Sequence, residues 1–101
     1  MKIITRLRRK IEAGDYVFSD HTVFDKLDGL GLERADLLHA IAKGWVDRKM
    51  TNDARGPRYC VIGPALDGQT HLEIPCRFDD TGVVVLITVY EVEVGDEDDE
   101  E

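Results

Sequence analysis

Residues 83–94, VVVLITVYEVEV, form the longest apolar run of the chain and constrain its fold more than any other stretch. The run is rich in β-branched residues and holds neither Gly nor Pro, the composition of a strand that packs on both faces. From Thr88 onward it alternates. Thr88, Tyr90, Val92 and Val94 fall on one side, and Val89, Glu91 and Glu93 on the other. It is expected to be the central strand of a small antiparallel sheet.

The preceding chain supplies helices first and strands second. Ile3, Ile4, Leu7 and Ile11 recur at helical spacing, so residues 3–13 read as an amphipathic helix closed by Gly14. Its other face carries Arg6, Arg8, Arg9 and Lys10, either a solvated face or an electropositive rim for a phosphate backbone. Residues 16–19 suit an edge strand or an extended connection, and Ser19 or Asp20 an N-cap. Val23, Phe24, Leu27 and Leu30 mark a second helix that ends at Gly29 and Gly31. Leu38, Ile41, Ala42 and Trp45 mark a third over residues 33–43, stopped by Gly44, with Trp45 in its buried stripe. His39 is assigned to the surface of that helix. The two helices form an αα-hairpin.

Strands are expected at residues 45–50, 58–64 and 70–78, before the apolar run. The loop TNDARGP and the Asp67-Gly68 turn separate the first three. The chain therefore reads as one α+β domain over residues 1–94. Its N-terminal helices pack on one face of a twisted antiparallel sheet of about four strands.

A two-residue turn at Asp67-Gly68 sets Arg58 opposite Arg77 and Gly63 opposite Leu72. A four-residue loop at 79–82 sets Arg77 opposite Val84, Glu73 opposite Thr88 and His71 opposite Tyr90. Alternation then divides the sheet. Tyr59, Val61, Leu72, Ile74, Cys76, Phe78, Val83, Val85, Ile87 and Val89 share an apolar face to be covered by helices. Arg58, Cys60, His71, Glu73, Arg77, Val84, Leu86, Thr88 and Tyr90 share the other. Two neighbouring arginines repel unless an anion lies between them. Glu73 would supply it internally, and a ligand phosphate, which suits guanidinium geometry, externally. His21, at the start of the second helix, is either a surface residue or an acid–base group beside the sheet.

The formal net charge is −8, but residues 96–101 are all acidic and carry most of it. Residues 95–101 read as a disordered acidic tail on a nearly balanced body. No apolar run reaches the length of a membrane span, and the basic N-terminus lacks the apolar core of a signal peptide. A cytoplasmic protein with Cys60 and Cys76 as reduced thiols is expected. Neither cysteine lies in a CxxC pair, and P-loop, GxGxxG, HExxH and nucleophile-elbow motifs are absent, so neither metal nor cofactor is expected.

SDHTVFDKL, AIAKGWV, GPRYCVIGP and VVVLITVYEV together resemble a group of short bacterial proteins similar to the RelE and MqsR toxins. Such proteins are often paired with a zinc-finger antitoxin. The resemblance spans residues 11–92. It implies a RelE-like or MqsR-like fold whose uncovered sheet face grips RNA, with no cofactor. The ribose 2′-OH would attack the adjacent phosphate without metal. Arg58 and Arg77 would stabilise the charged phosphorane, with Tyr90 and His71 or His21 moving protons. Thr88 and Glu73, with Arg6, Arg9 and Lys10 of the first helix, complete the residues expected to touch substrate. The expected function is a toxin-type endoribonuclease acting on mRNA and held in check by an antitoxin protein. The alternative is a non-catalytic protein-binding module on the same fold.

Overall fold

A computed structural model describes residues 2–93, apart from the side chains of residues 20–23. In order, the elements are α1 (Ile3–Glu12), β1 (Tyr16–Phe18), α2 (Asp20–Leu30), α3 (Arg34–Lys43), β2 (Trp45–Met50), β3 (Arg58–Pro64), β4 (His71–Phe78), β5 (Val84–Leu86) and β6 (Tyr90–Val92). The class is α+β. The acidic segment 95–101, expected as a disordered tail, lies outside the described residues, as does Val94.

Among the described residues the sheet has six strands rather than about four, in the order β1-β5-β4-β3-β2, with β6 also paired to β4. It is mixed, not antiparallel, because β1 runs parallel to β5 through Tyr16–Val84, Val17–Val85 and Phe18–Leu86. The edge strand read at residues 16–19 is thus present. The apolar run is not the central strand. It is broken into β5 and β6, and β4 is the element that pairs with β3, β5 and β6.

The break has a local cause. Between Cys76–Leu86 and Glu73–Tyr90, β4 contributes two residues and the last strand three, which is a β-bulge. Pro75 lies in that interval. Its carbonyl accepts the Ile87 N–H at 2.9 Å, so the N–H that proline lacks would also point toward the bulge. The ladder to β3 through Cys60–Pro75 therefore loses no donor.

α1 and α3 cover one face. Leu7 of α1 and Leu37, Ala40 and Ile41 of α3 are fully buried against Val61, Leu72, Ile74, Val84 and Leu86. Each fully buried Leu or Ile contributes roughly 1.5–3 kcal/mol. α3 approaches β3 so closely that a Cβ on Gly63 would collide with the Ala40 carbonyl, and one on Gly44 with the Ile62 carbonyl. α1 is fastened by Arg8, which donates to the Ile41 carbonyl at 3.3 Å and the Gly44 carbonyl at 2.6 Å at the end of α3. These carbonyls are unpaired within the helix and carry its negative dipole end.

One helix-derived assignment is corrected. Trp45 does not extend the buried stripe of α3. Gly44 ends the helix in an extended conformation, and Trp45 opens β2 with 43 % of its surface exposed. His39 lies partly exposed on α3, and its Nδ1 lies 2.9 Å from the Pro64 carbonyl.

Candidate phosphate-binding groove

The β3–β4 register is the expected one. Tyr59 pairs with Cys76 and Gly63 with Leu72, which brings Arg58 and Arg77 side by side at the end of the ladder. The connection is wider than a two-residue turn, closed by Ala65 N–H to the Thr70 carbonyl at 2.8 Å. Widening a loop symmetrically leaves the register unchanged, so the expectation held despite the turn.

The next hairpin departs from expectation. Asp79 N–H donates to the Val83 carbonyl at 2.8 Å, so Val83 belongs to the loop and Arg77 pairs with Val85 instead of Val84. Val84 and Leu86 therefore face the helices and are fully buried, while Val85 and Ile87 move to the arginine face. Taken alone, that one-residue slip would carry Thr88 and Tyr90 to the helix side. The bulge at 87–89 restores their orientation. Glu73 now pairs with Tyr90, and His71 with Val92.

The result is a groove of about 420 Å³ lined by Ser19, Lys26, Arg55, Arg58, Arg77, Val85, Ile87, Thr88 and Tyr90. Four of these side chains are cationic, three carry hydroxyls, and two form an apolar floor. Lys26 of α2 lies over the Tyr90 ring, 4.2 Å from its centroid, a cation–π contact. Ser19 stands at the N-cap of α2 but does not cap it. Its Oγ donates to the Ile87 carbonyl at 2.8 Å, holding the start of α2 against the bulge.

The expected Glu73 counter-charge is used elsewhere. Arg48 Nη2 donates to Glu73 Oε2 at 2.7 Å, on the β2 side of the sheet. Arg58 is held by Asp53, with Nη2 to Oδ2 at 2.7 Å. Asp53 also accepts the Arg55 N–H at 2.8 Å, and these bonds keep its carboxyl below the ordinary range, with the Arg55 amide the leading cause. Arg58 Nε is buried and has no hydrogen-bond partner among the described residues. Among the described residues, Lys26, Arg55 and Arg77 form no ion pair.

Of the residues expected in the site, Arg58, Arg77, Thr88 and Tyr90 come together. Glu73 and His71 do not line the groove; the His71 Nδ1 lies 3.2 Å from the Gln69 carbonyl. His21 belongs to the first turn of α2, two residues after Ser19, and its side chain lies outside the described residues. Arg6, Arg9 and Lys10 sit on α1, which packs on the other side of the sheet. Lys26, Arg55 and Asp53 were not expected. The Asp-x-Arg run within the loop TNDARGP was the available signal for the last two.

Cys60 and Cys76 are free and buried. Burial pushes the Cys60 thiol up, and pushes Cys76 up to about 12. Among the described residues no group of three or more His, Cys, Asp or Glu side chains could hold a metal. Likewise, no described helix is long and apolar enough to cross a membrane.

Residues 18–91 match the family model for a domain of unknown function, DUF4258, and the chain belongs to that family. The matched span runs from the end of β1 into β6 and so takes in every residue lining the groove. The match carries no link to RelE or MqsR toxins. No curated protein and no solved structure matches the chain.

Proposed function

We propose that the groove binds the phosphodiester backbone of RNA and that the protein is a metal-independent endoribonuclease related in mechanism to RelE- and MqsR-type toxins. The side-by-side placement of Arg58 and Arg77 at the end of the β3–β4 ladder carries this reading. Guanidinium groups meet phosphate oxygens in charge-assisted, often bidentate hydrogen bonds, and Arg77 has no ion-pair partner among the described residues. The surrounding cations favour the same ligand in a chain whose overall charge is strongly negative.

The chemistry assigns one task to each group. The 2′-OH oxygen attacks the adjacent phosphorus as its proton is removed, and the bond from phosphorus to the 5′-oxygen breaks. Arg58 and Arg77 offset the charge gathering on the non-bridging oxygens. Tyr90 supplies a proton to the leaving 5′-oxygen, its ring held in place beneath Lys26. His21 is the candidate acceptor of the 2′-OH proton. Thr88 and Ser19 border the path of the ribose. An antitoxin partner would act by occupying this face.

The test is cleavage of single-stranded RNA by purified protein in chelator, with Arg77→Ala alongside. Fragments ending in a 2′,3′-cyclic phosphate, lost in the variant, support the reading. A folded protein that binds RNA without cutting it reduces the groove to a binding site. One that neither binds nor cuts RNA moves the reading to a protein-binding module, which the acidic charge of the whole chain favours.

A further inference from the structure

The basic residues of α1 divide into two groups. Arg8 is consumed by the end of α3. Arg6, Arg9 and Lys10 instead surround a hollow of about 310 Å³, completed by Ala13 and Asp15. Arg9 makes no ion pair among the described residues, and Lys10 makes one loose contact, 3.7 Å from Asp15, with the aspartate side chain exposed and the lysine half-buried. Such a pair contributes little and yields readily to a better anion.

This hollow lies against the same strand end as the groove. Arg6 stacks on the Phe78 ring, 4.3 Å from its centroid. Phe78 follows Arg77 in β4, so the two side chains point to opposite faces and place cations on both sides of one strand end. Lys10 reaches the β4–β5 loop, where its Nζ lies 3.3 Å from the position a Cβ on Gly82 would take. A third hollow, of about 570 Å³, is lined by Ala54, Arg55, Arg77, Asp79, Asp80 and Thr81. It shares Arg55 and Arg77 with the groove and flanks the same loop. Three concavities thus follow one another around the β4–β5 loop, cationic at both ends.

We infer that Arg6, Arg9 and Lys10 form a second phosphate-binding subsite, and that the ligand is a single-stranded RNA long enough to pass around the β4–β5 loop between the two. This rests on the RNA reading of the groove. Asp79 and Asp80 argue for a single strand. No phosphate sits beside these carboxylates, but an unpaired strand can turn a base edge toward them, where exocyclic amino groups are donors. Asp79 already spends Oδ1 on the Thr81 N–H, Thr81 hydroxyl and Val83 N–H, which leaves Asp80 as the more available acceptor.

The test measures binding of labelled 4- and 12-nucleotide RNAs over a salt series, for the wild type and for Arg9→Ala/Lys10→Ala. Alanine preserves the helix, and unchanged thermal midpoints verify it. Two lost phosphate contacts lower the 12-mer salt slope by about 1.4, toward that of the 4-mer, and weaken 12-mer binding about tenfold at 0.15 M salt. Slopes that match between wild type and variant, with RNA still bound, overturn the second subsite and leave the groove intact. A duplex bound as tightly as the 12-mer overturns the single-strand assignment. Failure to bind either RNA overturns both this inference and the function it rests on.

Discussion

Arg58 Nη2 and Asp53 Oδ2 meet at 2.7 Å, and the other oxygen of the same carboxylate accepts the Arg55 N–H at 2.8 Å. One acid in the β2–β3 loop therefore sets the position of two groove cations, while removing a charge from the groove's total. Asp53→Ala separates these effects. Binding of RNA strengthens, because a nearby negative charge is gone, whereas cleavage slows by about 10- to 100-fold, because Arg58 is no longer aimed. Affinity and single-turnover rate on one substrate provide the check. Weaker binding together with faster cleavage would remove Asp53 from the positioning role.

Tyr90 is 46 % exposed, and its ring supports Lys26. Tyr90→Phe keeps the ring and removes only the hydroxyl. The folded state should shift by no more than about 0.5 kcal/mol, as for other surface substitutions. Cleavage should fall by about 10²- to 10⁴-fold, the usual contribution of a positioned proton donor. Thermal unfolding beside a cleavage assay reads both quantities. Full activity in the variant would assign proton transfer elsewhere.

What was legible in the chain follows the range of the forces involved. α1, α3, β3 and β4 are written in local periodicity, and the β3–β4 register survived because the loop around Asp67-Gly68 widens symmetrically. The β4–β5 register did not, because Asp79 gathers Thr81 and Val83 through its side chain and lengthens the loop by one residue. The bulge opposite Pro75 then reverses the consequence for Thr88 and Tyr90. Two local irregularities that cancel leave the site where simple alternation had put it. The parallel pairing of β1 and the arrival of Lys26 over Tyr90 depend on contacts between distant segments, which no spacing rule records.

Gly63 exists for the closeness of α3. A Cβ there meets the backbone of Ala40, which cannot step aside as a side-chain tip would. Gly63→Ala should cost about 3 kcal/mol or more, at the upper end of overpacking penalties. In a domain of this size that lowers the thermal midpoint by more than about 10 °C. Differential scanning calorimetry measures it. A midpoint within a degree or two of wild type would show that α3 can lift from β3 at little cost.

Cys60 and Cys76 are both buried, and burial holds each in the thiol form, with Cys76 pushed up to about 12. Since the thiolate is the reactive species, neither should react with a thiol reagent at pH 8 in the native protein. Both should react in denaturant. Rapid labelling of Cys60 in the folded state would mean that the sheet face beneath Arg48 and Glu73 opens.

The Asp79 carboxyl is held below the ordinary range, first by the Thr81 hydroxyl and also by the Thr81 and Val83 amides. Its folded-state pKa thus lies under the unfolded value of about 3.9. The sign follows from linkage. Its stabilisation is fully present above the unfolded value and fades as pH falls through the folded one. Asp79→Ala should therefore lower the urea midpoint at pH 7 and pH 5 alike, and the two proteins should draw together below about pH 3. A gap that persisted unchanged into acid would mean that the neutral carboxyl holds the loop as well as the carboxylate does. The five-residue loop, and with it the Arg77–Val85 register that opens the groove, would then owe nothing to the charge on Asp79.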